Sequence, residues 1–430
     1  MVQTDAVHYL SLNLRLMTVV GMWPHGPSRI RPVLQCVTHV LVLCMLAFWL
    51  GLVSLAVSMR HDSEVLMGCI GLVCGYFVST FKWITLVSNR RRLQRVVASL
   101  SECLALGAAS DPSDGAEDFE RVTRATNTRA RITAVCWFLC ISYVATYFSL
   151  IPLTMNGTRV EVPIPDEKTD CYRNETSCNS TRVAQYQELY FLPFGAWPFV
   201  DTSRSPQYGL LYTLQATGCI SHGWTHSASD CFFLFFVMFV CGQFEFLNKT
   251  IRQAGYARSV ERQTEDATGK TQGQYSDLAN CIRHHQLLLS IVNDFNSIYS
   301  PLMLVQFVNT IFSLCTFAFE ASNLKSDDSK LASMMGFLVA TMLQLYLFCK
   351  VGSKLTVLSL LVADSCYESD WVDKPKYWKK SVEIVIMRAQ KPLILTGGPF
   401  YVITYETFLA QMQMAFSYFT VLRNLHDVEE

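Results

Sequence analysis

Seven stretches of this chain are apolar for longer than a bilayer is thick, and that leaves few folds open. They cover 33–58, 65–88, 131–153, 207–247, 286–320, 331–363 and 393–422. A spanning helix needs about 20 mainly apolar residues to cross a hydrocarbon core of about 30 Å. In lipid every backbone N–H and C=O must be paired within its own segment, so these stretches read as helices. The fourth, fifth and sixth exceed the requirement and are expected to continue into water on one side. Composition agrees: 16% of residues are charged, against roughly 25% in soluble domains. The formal net charge is zero, which gives no argument for nucleic acid. No cleavable signal peptide is expected, because Asn13, Arg15, Pro24 and Arg29 interrupt the first apolar residues.

Lys and Arg orient the spans. With the N-terminus inside, 25 basic residues fall in inner segments and 9 in outer ones, and Lys82 lies within the second span. That asymmetry favours a cytoplasmic N-terminus and, after seven crossings, an extracellular C-terminus. The loop 154–206 carries three glycosylation sequons, at Asn156, Asn174 and Asn179. They need a lumenal position and are expected to carry glycan, whereas the sequon at Asn248 falls inside and is expected to stay bare. Cys171 and Cys178 share that polar loop and can form a disulfide if it is outside. Most other cysteines lie in apolar runs, where Cys behaves as a small hydrophobe. The expected fold class is an all-α membrane protein with seven transmembrane helices. The topology is the reverse of a G-protein-coupled receptor, whose Asp-Arg-Tyr and Asn-Pro-x-x-Tyr signatures are missing. No internal repeat supports an inverted-repeat transporter. Loops 105–120 and 255–276 read as polar cytoplasmic connectors. Gly-x-Ser-x-Gly, Walker and His-Glu-x-x-His motifs are absent from the sequence, so no enzyme and no cofactor is expected.

Two intramembrane features carry chemistry. The seventh stretch is broken by Gly397, Gly398 and Pro399 and then carries Thr, Glu and Gln. Broken helices and polar groups at membrane depth are tolerated where they face protein or a water-filled path. The stretch is therefore the candidate conduction element. In the fourth stretch His222, His226 and Asp230 recur every four residues on one helix face, a spacing able to hold a metal. No second cluster pairs with them, so the stronger reading is a buried hydrogen-bonded relay or an inter-subunit contact, with no metal.

Motifs along almost the whole chain resemble those of an insect odorant receptor. They begin with Gly21-Met22-Trp23-Pro24 after a pre-helix. Leu192-Pro193-Phe194-Gly195-Ala196-Trp197-Pro198-Phe199 and Ser205-Pro206 resemble the second outer loop, and His285-Gln286 through Tyr299-Ser300-Pro301 and Gln306-Phe307 the fifth helix. Gln344-Leu345-Tyr346 through Gly352, Ser359, Tyr367 and Trp371 resemble the end of the sixth. Pro392-Leu393, Thr396, Gly398 and the run Ser417-Tyr418-Phe419-Thr420-Val421-Leu422-Arg423 resemble the most diagnostic pair. The resemblance implies an odorant-gated, non-selective cation channel in the plasma membrane of olfactory sensory neurons. The ending Thr420 to Asn424 suggests a tuning subunit that binds a small volatile and forms a heterotetramer with the odorant co-receptor, amid membrane lipid. A gustatory receptor channel is the alternative, and a G-protein-coupled receptor a more distant one. The implied organisation is a cytoplasmic N-terminus with pre-helix (1–32) and transmembrane helices 1–6 with the odorant pocket (33–363). A cytoplasmic anchor (364–392) and a pore-forming seventh helix with a short extracellular C-terminus (393–430) follow.

The same resemblance locates the sites. The odorant pocket is expected between the outer halves of spans two, three, four and six. Its wall would be Cys74, Phe77, Val78, Val144, Ala145, Phe148, Tyr212, Gln215, Ala216, Met334, Phe337, Leu338 and Thr341. Tyr212, Gln215 and Thr341 are the polar handles of that set and none of its residues is ionisable, so the expected ligand is neutral. In the last helix Val421 and Leu425 map onto a hydrophobic gate, Asn424 onto a polar ring and Gln413 onto the inner pore face. Apolar side chains converging on an axis gate by dewetting; ordinary helix packing is the plainer alternative. Glu406 either draws cations to an inner vestibule or caps the helix.

Overall fold

A computed structural model describes residues 5–24, 31–58, 63–109, 115–155, 158–162, 185–189, 192, 205–253, 270–323 and 328–429. The chain is almost entirely helical. In order it contains α1 (Ala6–Val19), α2 (Arg31–Ser58), α3 (Ser63–Ser88), α4 (Arg90–Ala109) and α5 (Gly115–Met155). The strands β1 (Thr158–Val162) and β2 (Gln185–Leu189) precede α6 (Ser205–Gln253), α7 (Lys270–Asn323), α8 (Asp328–Tyr367) and α9 (Lys376–Ala389). The chain closes with β3 (Thr396–Gly397), β4 (Tyr401–Val402) and α10 (Tyr405–Glu429). Both strand pairs are antiparallel, so the fold is not purely α. Among the described residues five helical segments are long and apolar enough to cross a membrane: Cys36–Ser58, Glu117–Leu150, Pro206–Gln253, Leu278–Ser322 and Met334–Tyr367. Val73–Ser88 is a shorter apolar helix.

Helix α6 is the axis of the bundle. It is apolar all round, the pattern of a buried helix, and 89% of its apolar window is buried. It packs on α5, α8, α2, α1, α3 and α7. Phe232, Phe233, Phe235, Phe236, Phe239 and Phe244 are fully enclosed. Phe236 stacks on Phe295 of α7 at 4.0 Å between ring centroids, and Phe295 on Tyr299 at 4.4 Å. Offset aromatic pairs of this kind add directional attraction to the area they bury. The fourth to sixth stretches form helices of 49, 54 and 40 residues, longer than a hydrocarbon core requires.

Several expectations change. The stretch 393–422 is not one interrupted helix. Residues 393–404 carry the β3–β4 hairpin, which turns at Gly398 with φ 62°, and the helix starts only at Tyr405. The hairpin lies on α7 where Pro301 interrupts the helical ladder. The Gly398 N–H donates to the Ser300 carbonyl at 3.0 Å, and the Thr396 N–H to Asn296 Oδ1 at 2.9 Å. Residues 105–120 are not a simple connector either, because 105–109 end α4 and 115–120 begin α5. Helix α4 buries Leu93, Val96, Val97, Leu100, Cys103, Leu104 and Gly107, an i, i+3, i+4, i+7 stripe. Burial also pushes the Cys103 thiol up, which keeps it protonated and unreactive. Residues 270–276, expected in a connector, open α7.

Asn248 is 6% exposed and its Nδ2 donates to the Leu358 carbonyl at 3.1 Å. Asn156, Asn174, Asn179, Cys171 and Cys178 lie outside the described residues.

Candidate ligand cavity and pore helix

Five helices line a cavity of ≈ 180 Å³. Gly71, Gly75 and Tyr76 come from α3, and Trp137, Ile141, Val144, Ala145 and Phe148 from α5. Helix α6 supplies Cys219, His222, Gly223 and His226, α7 Gln306, Asn309, Ser313 and Phe317, and α8 Phe337, Ala340, Thr341 and Gln344. The small residues make the space. A Cβ on Gly223 would stand 3.0 Å from that of Ala145, so α5 and α6 meet closely beside the cavity. One side is aromatic: Phe148 and Phe337 lie 4.5 Å apart between centroids, and Phe317 stacks on Phe337 at 5.2 Å.

Beside it lies a polar network. Lys82 Nζ donates to Asp230 Oδ1 at 2.6 Å, and both side chains are 0% exposed. Gln344 Nε2 donates to Asp230 Oδ2 at 2.5 Å and lies 2.8 Å from His226 Nε2. His226 Nδ1 is 3.3 Å from Ser79 Oγ. Gln306 Nε2 donates to Gln344 Oε1 at 3.2 Å. His222 stacks on Tyr76 at 3.8 Å. His226 and Asp230 therefore belong to a hydrogen-bonded network in which a lysine from another helix takes Asp230, whereas His222 meets Tyr76 through its ring and its buried Nδ1 has no partner among the described residues.

Five residues read from the sequence line this cavity: Val144, Ala145, Phe148, Phe337 and Thr341. Cys74, Phe77, Val78, Tyr212, Gln215, Ala216, Met334 and Leu338 do not line it. Phe77 is 49% exposed and near Phe81, while Val78 and Gln215 are buried in packing. Tyr212 donates its hydroxyl to the Ser149 carbonyl, and Thr341 donates to the Phe337 carbonyl at 2.8 Å. Of the three expected handles, Tyr212 and Thr341 thus already donate within the chain, and Gln215 is buried outside the cavity lining. On α6 and α8 the cavity sits further along each helix than expected. It also has a fifth wall, α7, beyond the four expected, and its polar groups include two histidines.

Helix α10 packs on α7 and α8 through Gln411 and Ala415, which are buried. Glu406, Gln413, Val421 and Asn424 are exposed, with Val421 at 53% beside Phe416 at 69% and Tyr418 at 56%. The helix thus presents an apolar face that no described part of the chain covers. Glu406 sits in its first turn and accepts from Thr404 Oγ1 at 3.0 Å, where a carboxylate complements the helix dipole. The side chain of Leu425 lies outside the described residues.

Three comparisons place the molecule. Odorant receptor 10 of Aedes albopictus is 22% identical over 362 residues, 82% of each chain. The odorant receptor coreceptor of Harpegnathos saltator is 26% identical over 144 residues, 34% of this chain and 30% of that one. The structure of the insect olfactory receptor OR5 from Machilis hrabei in complex with eugenol superposes with a TM-score of 0.76. It covers 98% of this chain and all of that one at 17% identity, a likeness of fold. The profile of the 7tm odorant receptor family matches residues 65–416, most of the sequence, and the chain belongs to that family.

Proposed function

We propose that this chain is the odorant-binding subunit of a non-selective cation channel and that it works as a heterotetramer with the odorant co-receptor. It spans the plasma membrane of olfactory sensory neurons seven times with a cytoplasmic N-terminus, α10 being the seventh span. One pairing carries the reading: a largely apolar cavity between the helices of the bundle, and a terminal helix whose apolar face is left for another chain. A concave, mostly apolar site with a few polar groups suits a small molecule, and the Machilis hrabei receptor in its eugenol complex supports such a ligand. The likeness to a coreceptor sequence supports the partner. In this reading residues 364–392 form the cytoplasmic anchor, where Trp378 is buried and Lys374 lies 3.7 Å from Asp370. Val421 and Leu425 form the gate, Asn424 a polar ring, and Gln413 faces the inner pore, while Glu406 acts as a helix-capping carboxylate.

The test is whole-cell current in cells expressing this chain with and without the co-receptor. Odorant-evoked, cation-selective current is expected only with both chains and without any requirement for GTP. Robust current from this chain alone would remove the heteromer. In the same cells, Val421→Ser and Leu425→Ser are expected to raise resting leak, partially because partner subunits keep their own apolar side chains. Unchanged leak and permeation at normal surface level would assign both positions to packing.

A further inference from the structure

We propose that the cavity selects compact, neutral molecules bearing a hydroxyl group, and that Gln306 Oε1 is the acceptor that reads its proton. The inference rests on the cavity being the odorant site and names the chemistry of that ligand.

A chain of donors fixes the direction of each amide. Both oxygens of Asp230 accept, Oδ1 from Lys82 and Oδ2 from Gln344. An ionised carboxylate offers acceptors only, so Gln344 must turn its Nε2 toward Asp230. The second hydrogen of that nitrogen points at His226 Nε2, 2.8 Å away. His226 Nε2 is also 3.2 Å from Asp230 Oδ2, and His226 Nδ1 lies 3.3 Å from Ser79 Oγ. The Gln344 oxygen is left to face α7, and it takes a hydrogen bond from Gln306 Nε2 at 3.2 Å. The same nitrogen reaches Thr310 Oγ1 at 3.4 Å. Flipping Gln306 would set two carbonyl oxygens against each other, so its orientation follows, through Gln344, from the buried ion pair.

The result is a carbonyl oxygen without a donor. Gln306 is 2% exposed and lines the cavity, and among the described residues nothing donates to its Oε1. Asn309, one turn along the same helix, also lines the cavity with an unpartnered, buried Oδ1. A buried acceptor without a donor costs free energy that a ligand donor recovers. An ether, ester or aldehyde offers no such proton. A carboxylate would bring its charge against two acceptors, and an ammonium would need a counter-charge, while Asp230 is already held by Lys82 and Gln344. A hydroxyl on a small apolar frame satisfies both the acceptor and the Phe148, Phe317, Phe337 wall.

The experiment compares benzyl alcohol with benzyl methyl ether and benzaldehyde, and hexanol with hexyl methyl ether and hexanal, on cells expressing this chain with the co-receptor. The alcohols are expected to act at concentrations at least about tenfold lower than their partners, since one unmade buried hydrogen bond is worth about that ratio. In Gln306→Met the preference is expected to shrink to within about threefold while responses to the ethers persist. Current without a hydroxyl preference in the wild-type complex overturns this inference and leaves the odorant reading standing. An undiminished preference in Gln306→Met at normal surface level also overturns it. Silence of a surface-expressed complex to the whole panel overturns the odorant reading as well. If Gln306→Met does not reach the surface, the wild-type ranking decides the matter alone.

Discussion

Replacing Lys82 with alanine is expected to destabilise the fold by about 3–5 kcal/mol and to remove most of the chain from the cell surface. The magnitude follows from what is left behind. Asp230 is 0% exposed, and its Oδ1 would lose a donor at 2.6 Å. Asp230→Ala should be equally severe, leaving an ammonium enclosed by α3 and α6. The pair is not expected to be worth that much in itself, because desolvation consumes most of its attraction. Lys82→Met combined with Asp230→Leu should therefore recover surface expression well above either single variant. Surface biotinylation and thermal unfolding of the detergent-extracted protein measure both effects. Wild-type surface level and melting in the single variants would show that the two charges are not buried together. The recovered double variant makes a second measurement available. Without Asp230, Gln344 loses the carboxylate that fixes its amide and keeps only His226 and Gln306 as partners, so any alcohol preference should weaken.

The parts of this site that can be read from sequence are those that one helix displays alone. Lys82 is visible as a charge inside an apolar run, and His222, His226 and Asp230 as a face repeating every four residues. Their meeting is not visible, since 148 residues separate Lys82 from Asp230 and nothing local encodes the pair. Val144, Ala145, Phe148, Phe337 and Thr341 reach the cavity because α5 and α8 turn the expected faces inward. On α3 the expected face is off by a small rotation: Gly75 and Tyr76 line the cavity, whereas Phe77 points outward. Gln306 and Asn309 escape a sequence reading because a polar residue on a span signals function without saying toward which neighbour it points.

The terminal segment departs from its sequence reading for a different reason. Gly397, Gly398 and Pro399 mark a break under any reading, and the apolar residues around them read as helix. Two-residue strands are too short to show a period of two. What holds them is α7 backbone and side chain, Asn296 and Ser300, about a hundred positions upstream. Helix α4 has a legible stripe from Leu93 to Gly107 at helical spacing, but Arg90, Arg91, Arg92 and Arg95 give the segment the look of a charged loop.

Gly352→Ala is expected to abolish odorant-evoked current while Gly336→Ala, in the same helix, leaves it intact. A Cβ built on Gly352 would stand 2.2 Å from the Ile403 carbonyl oxygen and 2.9 Å from Ile403 Cγ2. Backbone cannot rotate away as a side chain can, so the strand β4 and the start of α10 must move off α8. That junction is where α10 is aimed. Ile403 N–H bonds the Leu395 carbonyl at 2.9 Å across the hairpin, and Ser353 Oγ, next to Gly352, accepts the Tyr405 N–H at 2.9 Å. Overpacking of this kind costs about 1–3 kcal/mol, and here it falls on the hinge between the cavity helix α8 and the proposed pore helix. A Cβ on Gly336 would meet nothing within 4 Å, so alanine there should be neutral or stabilise the helix by up to about 1 kcal/mol. Both variants make the same chemical change in one helix, which removes helix propensity as an explanation of any difference between them. Current normalised to surface protein reads the outcome. Equal currents in the two variants would mean that α10 is not positioned by its contact with α8, and the coupling between cavity and pore would then have to run through α7, where Gly398 packs against Leu304.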